Sequence, residues 1–285
     1  MTRFAIQLHG TFPMTAYPHL ARAVERHPFE ELTVHDVVWW RPVWPILTLV
    51  GAATERVRVG PDVTHPLLVH PAVTAASVAA LDELTGGRAV LGVGRGSLLE
   101  PLGIPPARPE AVRRLVEDVR RHLASSFSWQ PPRAAVPVFV GTFGPRMLEL
   151  AAAGWADEVR PPGAWDTRFL QDVRRRIAGR VRLGCEVWTV IDRDRERARD
   201  LGREVLARFL PAMGAMTAFY GVDPHERPIS DRTLDLFVAA GTPADVARGV
   251  DRLVAAGPAT ITFSGRLGQD PLWAIRALGE IAAAE

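Results

Sequence analysis

A chain of 285 residues with 47% hydrophobic and 23% charged residues has the composition of a globular protein long enough to bury one large core. Its 34 basic and 32 acidic residues leave a formal net charge of +2, which argues against a nucleic-acid-binding surface, and the densest charge run, residues 192–197, mixes both signs as a solvated helix face does. The lone Cys185 excludes an intrachain disulfide, no segment approaches the ~20 apolar residues of a membrane span, and residues 1–8 lack a signal-peptide pattern, so a cytoplasmic protein without membrane partners is expected.

In chain order, residues 4–8 read as a first strand, 31–35 as a second and 57–60 as a third. Helical spacing runs over residues 44–54, where Pro45 suits a first turn. Residues 71–84 are Ala-rich and helical, with Gly86 and Gly87 as a stop signal. A fourth strand follows at 88–93, an amphipathic helix at 110–123, a fifth strand at 137–140 and a helix at 146–153. Residues 156–159 make a short sixth strand, 166–177 a helix, 181–191 a seventh strand and 193–210 a long helix. Residues 211–234 carry Pro, Gly and Met without clear period and read as an insertion over the mouth of the fold. Thr242 caps a helix that Pro243 opens, residues 259–263 are the eighth strand, and 271–284 form the closing helix. Eight strands alternating with helices at this spacing predict an α/β fold, a (β/α)8 TIM barrel with an insertion before the last strand, in one domain over residues 1–285.

Active sites of such barrels lie where the strands end. The ends here present Gln7 and His9, His35 and Asp36, Asp62 to His65, Gly94 to Ser97, and Gly141 to Gly144, so polar groups converge on one mouth as a binding site requires. Gly92, Gly94 and Gly96 leave room for a flat ring to approach the backbone, although the run fails as a dinucleotide fingerprint because no third Gly follows at the required offset. Gly144-Pro145 before a helix offers backbone N–H groups and the positive end of a dipole to an anion, and Arg146 adds a charge. Trp39, Trp40 and Trp44 cover the barrel rim or wall a ring substrate. His70, before Pro71, reads as a helix-entry residue. No His pair has a carboxylate partner at ligand spacing, so no metal is expected.

One block is far more specific than the rest: Val59-Gly60-Pro61-Asp62-Val63-Thr64-His65-Pro66, His70-Pro71-Ala72-Val73-Thr74-Ala75, Leu81-Asp82-Glu83-Leu84-Thr85-Gly86-Gly87-Arg88 and Leu91-Gly92-Val93-Gly94-Arg95-Gly96. It resembles the luciferase-like superfamily, most closely the methylenetetrahydromethanopterin reductases and their bacterial relatives that use coenzyme F420. Gly144-Pro145-Arg146-Met147-Leu148 is similar to the family's phosphate loop, and Gly241-Thr242-Pro243-Ala244-Asp245-Val246 to its C-terminal pattern. The resemblance implies an F420-dependent oxidoreductase acting on a small-molecule substrate, and it is compatible with a homodimer. Asp36, Asp62, Val63 and Thr64 would line the deazaflavin ring, with Gly94, Ser97, Gly141 and Thr142 beside it and Gly144 and Arg146 on the phosphate. A non-prolyl cis peptide between Asp62 and Val63 is implied as well. His35 or His65, with Asp36, would carry the proton transfer.

The pattern also departs from the family. Gln7 stands where an acid is common, Asp36-Val37 replaces an Asp-His pair, Ser97 replaces the acid after the fourth strand, and bulky Phe143 precedes Gly144. Familiar proton donors are thereby lost. An FMN-dependent monooxygenase of the same fold is the alternative reading, and a non-redox or non-catalytic barrel is a third.

Overall fold

The computed structural model describes residues 2–125, 129 and 136–285. Its parallel strands are β1 (Arg3–Leu8), β2 (Phe29–Val34), β3 (Arg58–Pro61), β4 (Leu91–Val93), β5 (Val138–Gly141), β6 (Glu158–Arg160), β7 (Arg182–Leu183), β8 (Cys185–Ile191), β9 (Val238–Gly241) and β10 (Thr260–Leu267). The helices between them are α1 (Tyr17–Glu25), α2 (Val43–Ala52), α3 (Pro71–Leu84), α4 (Pro109–Ser125), α5 (Pro145–Ala151), α6 (Thr167–Ile177), α7 (Arg195–Phe209), α8 (Gly214–Tyr220), α9 (Asp231–Phe237), α10 (Pro243–Ala255) and α11 (Pro271–Ala283).

Pairing runs β3-β2-β1-β10-β8-β9 in one sheet and β4-β5-β6-β7 in the other. Single bridges join the two at both seams: Val59 with Ala89 and Thr64 with Val93 on one side, Pro162 with Glu186 on the other. These bridges close the ring of the expected TIM barrel. Short polar side chains set the helix starts. Asp194 accepts from the N–H groups of Glu196 and Arg197, Thr242 and Asp245 form a reciprocal capping box, and Asp270 accepts from Trp273. His70 caps α3 by accepting from the N–H of Ala72 at 3.2 Å, which is the helix-entry role expected of it.

Three local expectations are corrected. The seventh strand is divided at Gly184, with β7 paired to β6 and β8 to β10 and β9. A Cβ on Gly184 would run into the Glu158 carboxylate, so a glycine is what lets the backbone pass there. Second, the sequence reading misses α1 and β9. Third, the insertion over residues 211–234 is not irregular but holds α8 and the start of α9; it does reach the barrel mouth, where Ala212 and Met213 line the cavity.

TIM-barrel interiors are dominated by bulky branched side chains. This one is polar through much of its depth. Alternation within each strand turns Glu31 and Thr33 of β2, Glu158 and Arg160 of β6, Glu186 of β8, and Thr260, Thr262 and Ser264 of β10 into buried positions. The aliphatic core lies instead between the strands and the helices, where Ile6, Leu8, Leu32, Val59 and Val140 are fully covered.

Candidate active site

The barrel mouth holds a cavity of about 630 Å³, within the range of small-molecule sites. Among the expected residues, His35, Asp36, Asp62, Val63, His65, Ser97, Gly141, Thr142, Gly144 and Arg146 line it, together with Gln7, His9, Glu186, Trp188 and Met213. Thr64 and Gly94 are not brought to its surface. Thr64 is buried and its side chain hydrogen-bonds Asp36. Gly94 serves a neighbour: a Cβ there would sit 2.5 Å from Cγ2 of Val63. Gly94 therefore admits Val63, which corrects the purpose expected of that one position, while Gly96 of the same run does line the cavity. A Cβ at Gly141 would meet Val63 from the other side at 3.0 Å, so Val63 is wedged between two strands and forms a fixed apolar wall. The Asp62–Val63 peptide is cis.

Electrostatics of the mouth follow from burial. His9 contacts His35 edge-on at 5.6 Å and Trp40 at 4.6 Å, and His35 meets Trp40 edge-on at 5.4 Å. Burial, then the neighbouring His35 and Arg266, holds the His9 pKa down at about 3; burial alone holds His35 at about 4. Both rings are neutral at physiological pH. His65 accepts from the N–H of Leu67 through Nδ1 at 3.3 Å; burial lowers its pKa while the nearby Asp36 opposes the shift. Burial raises the Asp36 pKa against the hydrogen bond from Thr64. The two histidines expected to carry proton transfer are thus imidazoles whose cationic form is disfavoured.

Below the mouth lies a charged network that sequence reading missed. Arg160 binds both carboxylate oxygens of Glu31, with Nη2 at 3.3 Å from Oε2, and reaches Glu158 through Nε at 3.2 Å. Its guanidinium lies 3.9 Å from the centre of the Phe139 ring. Arg3 adds a 2.8 Å ion pair to Glu158. Asp62 accepts from the Thr33 hydroxyl at 3.0 Å, and the Gln7 amide donates to the Asp62 carbonyl at 3.1 Å. Strand alternation was the available signal. Glu31-Leu32-Thr33-Val34 and Glu158-Val159-Arg160 alternate with period two, and Glu186 interrupts an apolar run where an outward-facing charge would have company.

At the other end of the cavity, Gly144 precedes α5. Its N–H meets the Thr142 hydroxyl at 3.3 Å and Pro145 has no N–H, so the Arg146 and Met147 amides are the ones left for an anion. The Arg146 side chain is exposed and turned toward Glu110 at 3.4 Å. Of the two readings of the tryptophans the rim is the one that fits: Trp39 donates to the Leu98 carbonyl at 2.6 Å, and neither it nor Trp40 or Trp44 lines the cavity.

A flat ring with a phosphate tail suits this donor set. Val63 offers an apolar face, α5 offers amides and Arg146, and Gln7 Oε1 and His35 Nδ1 are buried polar atoms with no hydrogen-bond partner among the described residues. The model of the luciferase-like monooxygenase family matches residues 2–260. A 5,10-methylenetetrahydromethanopterin reductase of Archaeoglobus fulgidus is 24% identical over 98% of both chains. An F420-dependent glucose-6-phosphate dehydrogenase of Nakamurella multipartita is 32% identical over 63% of this chain and 64% of its own. Among solved structures, the coenzyme F420 dependent tetrahydromethanopterin reductase of Methanopyrus kandleri superposes with a TM-score of 0.86 at 21% identity, covering 99% of each chain.

Proposed function

Since the chain belongs to the luciferase-like monooxygenase family, we propose that it is a coenzyme F420-dependent oxidoreductase moving hydride between the deazaflavin and a small organic substrate. What carries the reading is the end-to-end match to a reductase, joined to the F420-dependent dehydrogenase that shares 32% of its residues over the matched region. The deazaflavin supplies hydride when bound. Val63, backed by the close approach of Gly94 and Gly141, would face the ring; Asp36 and Asp62 would lie at its polar edge; Thr142, the α5 amides and Arg146 would hold the phosphate. The apolar wall of Trp188, Phe209 and Met213 would receive the substrate.

FMN-dependent monooxygenation is the second reading, favoured by the family's own description. Titrating the protein with F420 and with FMN at one salt concentration, following fluorescence quenching, separates them. Tighter binding of F420 is expected, and tighter FMN binding would overturn the proposal.

A further inference from the structure

Four carboxylates are buried in the barrel interior: Glu31, Asp62, Glu158 and Glu186. Two have partners of opposite charge. Arg160 binds Glu31 and Glu158, and Arg3 binds Glu158, so this lower group is electrically closed. Asp62 and Glu186 remain. Asp62 has donors for its anion, with the Thr33 hydroxyl at 3.0 Å and the charge of Arg160 nearby. Glu186 has none of comparable strength. Among the described residues no cation pairs with it; the Trp188 indole and the Ser264 hydroxyl are its hydrogen-bonding neighbours, and the Ser264 hydroxyl is itself spent on the Val187 carbonyl at 3.3 Å. The charges that act on it are Asp62, just past the end of β3, and Arg160 from β6, while Thr262 lies level with it on β10. Two carboxyls sharing a buried site ionise one after the other, and the one poorer in donors keeps its proton to higher pH. Burial and the Asp62 charge both push the Glu186 pKa upward.

This carboxyl opens on the same cavity as Val63, His35 and Gln7. We propose that Glu186 is the catalytic acid of this enzyme, taking over from the strand-end acids that Gln7 and Ser97 have displaced. The inference rests on the reductase reading above and narrows the substrate to a polar double bond, a carbonyl or an imine. As the substrate carbon gains hydride and the π bond of its C=O or C=N group breaks, the electron pair moves to the heteroatom. That atom takes the proton from the Glu186 carboxyl, the two electrons come from the reduced deazaflavin, and the carboxylate left behind is reprotonated from solvent. Burial holds the proton on Glu186 between turnovers, and the neighbouring Asp62 charge adds to it.

Infrared spectroscopy of the cofactor-free protein tests this without turnover. At pH 7 the C=O stretch of a protonated carboxylic acid is expected in the wild type, lost in Glu186→Gln and retained in Asp62→Asn. With acetone at molar concentration as a carbonyl probe, the wild-type band is expected to shift downward as the acid donates to it. A band that survives Glu186→Gln, or one that vanishes in Asp62→Asn alone, would overturn the assignment; an unshifted band with acetone would overturn the donor role. The folded-state pKa of this acid is raised, so its stabilising contribution is present at low pH and lost as pH rises through that pKa. The urea midpoint of the wild type should therefore decline from about pH 5 to about pH 8 more steeply than that of Glu186→Gln, and parallel curves over that range would also refute the proposal. None of these readouts needs F420, so a failed F420 titration would be recognised separately.

Discussion

Replacing Arg160 by Met tests whether the paired lower network holds the barrel together. The guanidinium is 3% exposed, binds Glu31 and Glu158, and covers Phe139; methionine keeps much of the apolar volume and removes every donor. Glu158 retains Arg3 at 2.8 Å, so Glu31 becomes the orphan. Removing one partner of a buried pair costs about 3–5 kcal/mol, because the remaining charge stays desolvated. At about 2.1 cal/mol/K per residue, a chain of this length has an unfolding entropy near ~0.6 kcal/mol/K, so Tm should fall by about 5–8 °C. The loss should also depend on pH. Despite its burial, Glu158 is held below the usual carboxylate range by Arg160, so in the wild type it contributes stability above its unfolded pKa that is lost as pH falls through the folded one. In the variant an orphaned carboxyl is easier to bury once protonated, so the deficit should narrow from pH 7 to pH 5. Calorimetry at the two pH values measures both effects. A loss below ~1 kcal/mol, or a deficit that widens toward acid, would refute the account of a buried pair.

Three further outcomes are expected. His9 is buried and neutral with its pKa near 3, so stability should fall as pH drops below the ordinary imidazole value near 6.5, and His9→Gln should flatten that acid limb in denaturation curves; identical limbs would count against it. Gly94→Ala must displace Val63 from a contact at 2.5 Å and should cost ~1–3 kcal/mol of stability while weakening F420 binding; a variant with wild-type stability and affinity would show that Val63 is not a fixed wall. Arg146→Ala should weaken F420 binding by ~1.5–3 kcal/mol, the range for a hydrogen bond to a charged group, and an unchanged dissociation constant would remove the residue from the site.

The barrel was legible because its signals are local. Strand and helix alternate at short spacing, Pro71 and Pro243 mark helix starts, and the segment from Gly60 to Gly96 carries a specific pattern. What escaped depends on distance in space. The division at Gly184 is invisible until Glu158 is seen to occupy the volume of its missing Cβ. The purpose of Gly94 was misread for the same reason, since Val63 is thirty-one positions away in sequence and in contact in the fold. The site was legible as a set of strand ends and not as an ordering of roles. His35 stood out by residue type, but its neutrality comes from the surrounding burial, and its neighbours His9 and Trp40 meet it only in the fold. Glu186 hid in an apolar run because alternation tells which residues point inward and nothing about which inward carboxylate finds an arginine.

That distinction orders the barrel interior. Toward the strand starts, Arg3, Glu158, Arg160 and Glu31 satisfy one another, and paired charges of this kind respond weakly to a change of pH near neutrality. One level up, Asp62 and Glu186 share a site with no ion-paired cation among the described residues, and there a proton can be held or released. At the mouth His9 and His35 are neutral and aromatic-packed, so neither imidazole carries a proton to give near neutral pH. Losing the strand-end acids at Gln7 and Ser97 therefore need not abolish proton transfer in this fold. On the proposal made above the donor would be Glu186, whose proton affinity is raised by burial first and by the neighbouring Asp62 second.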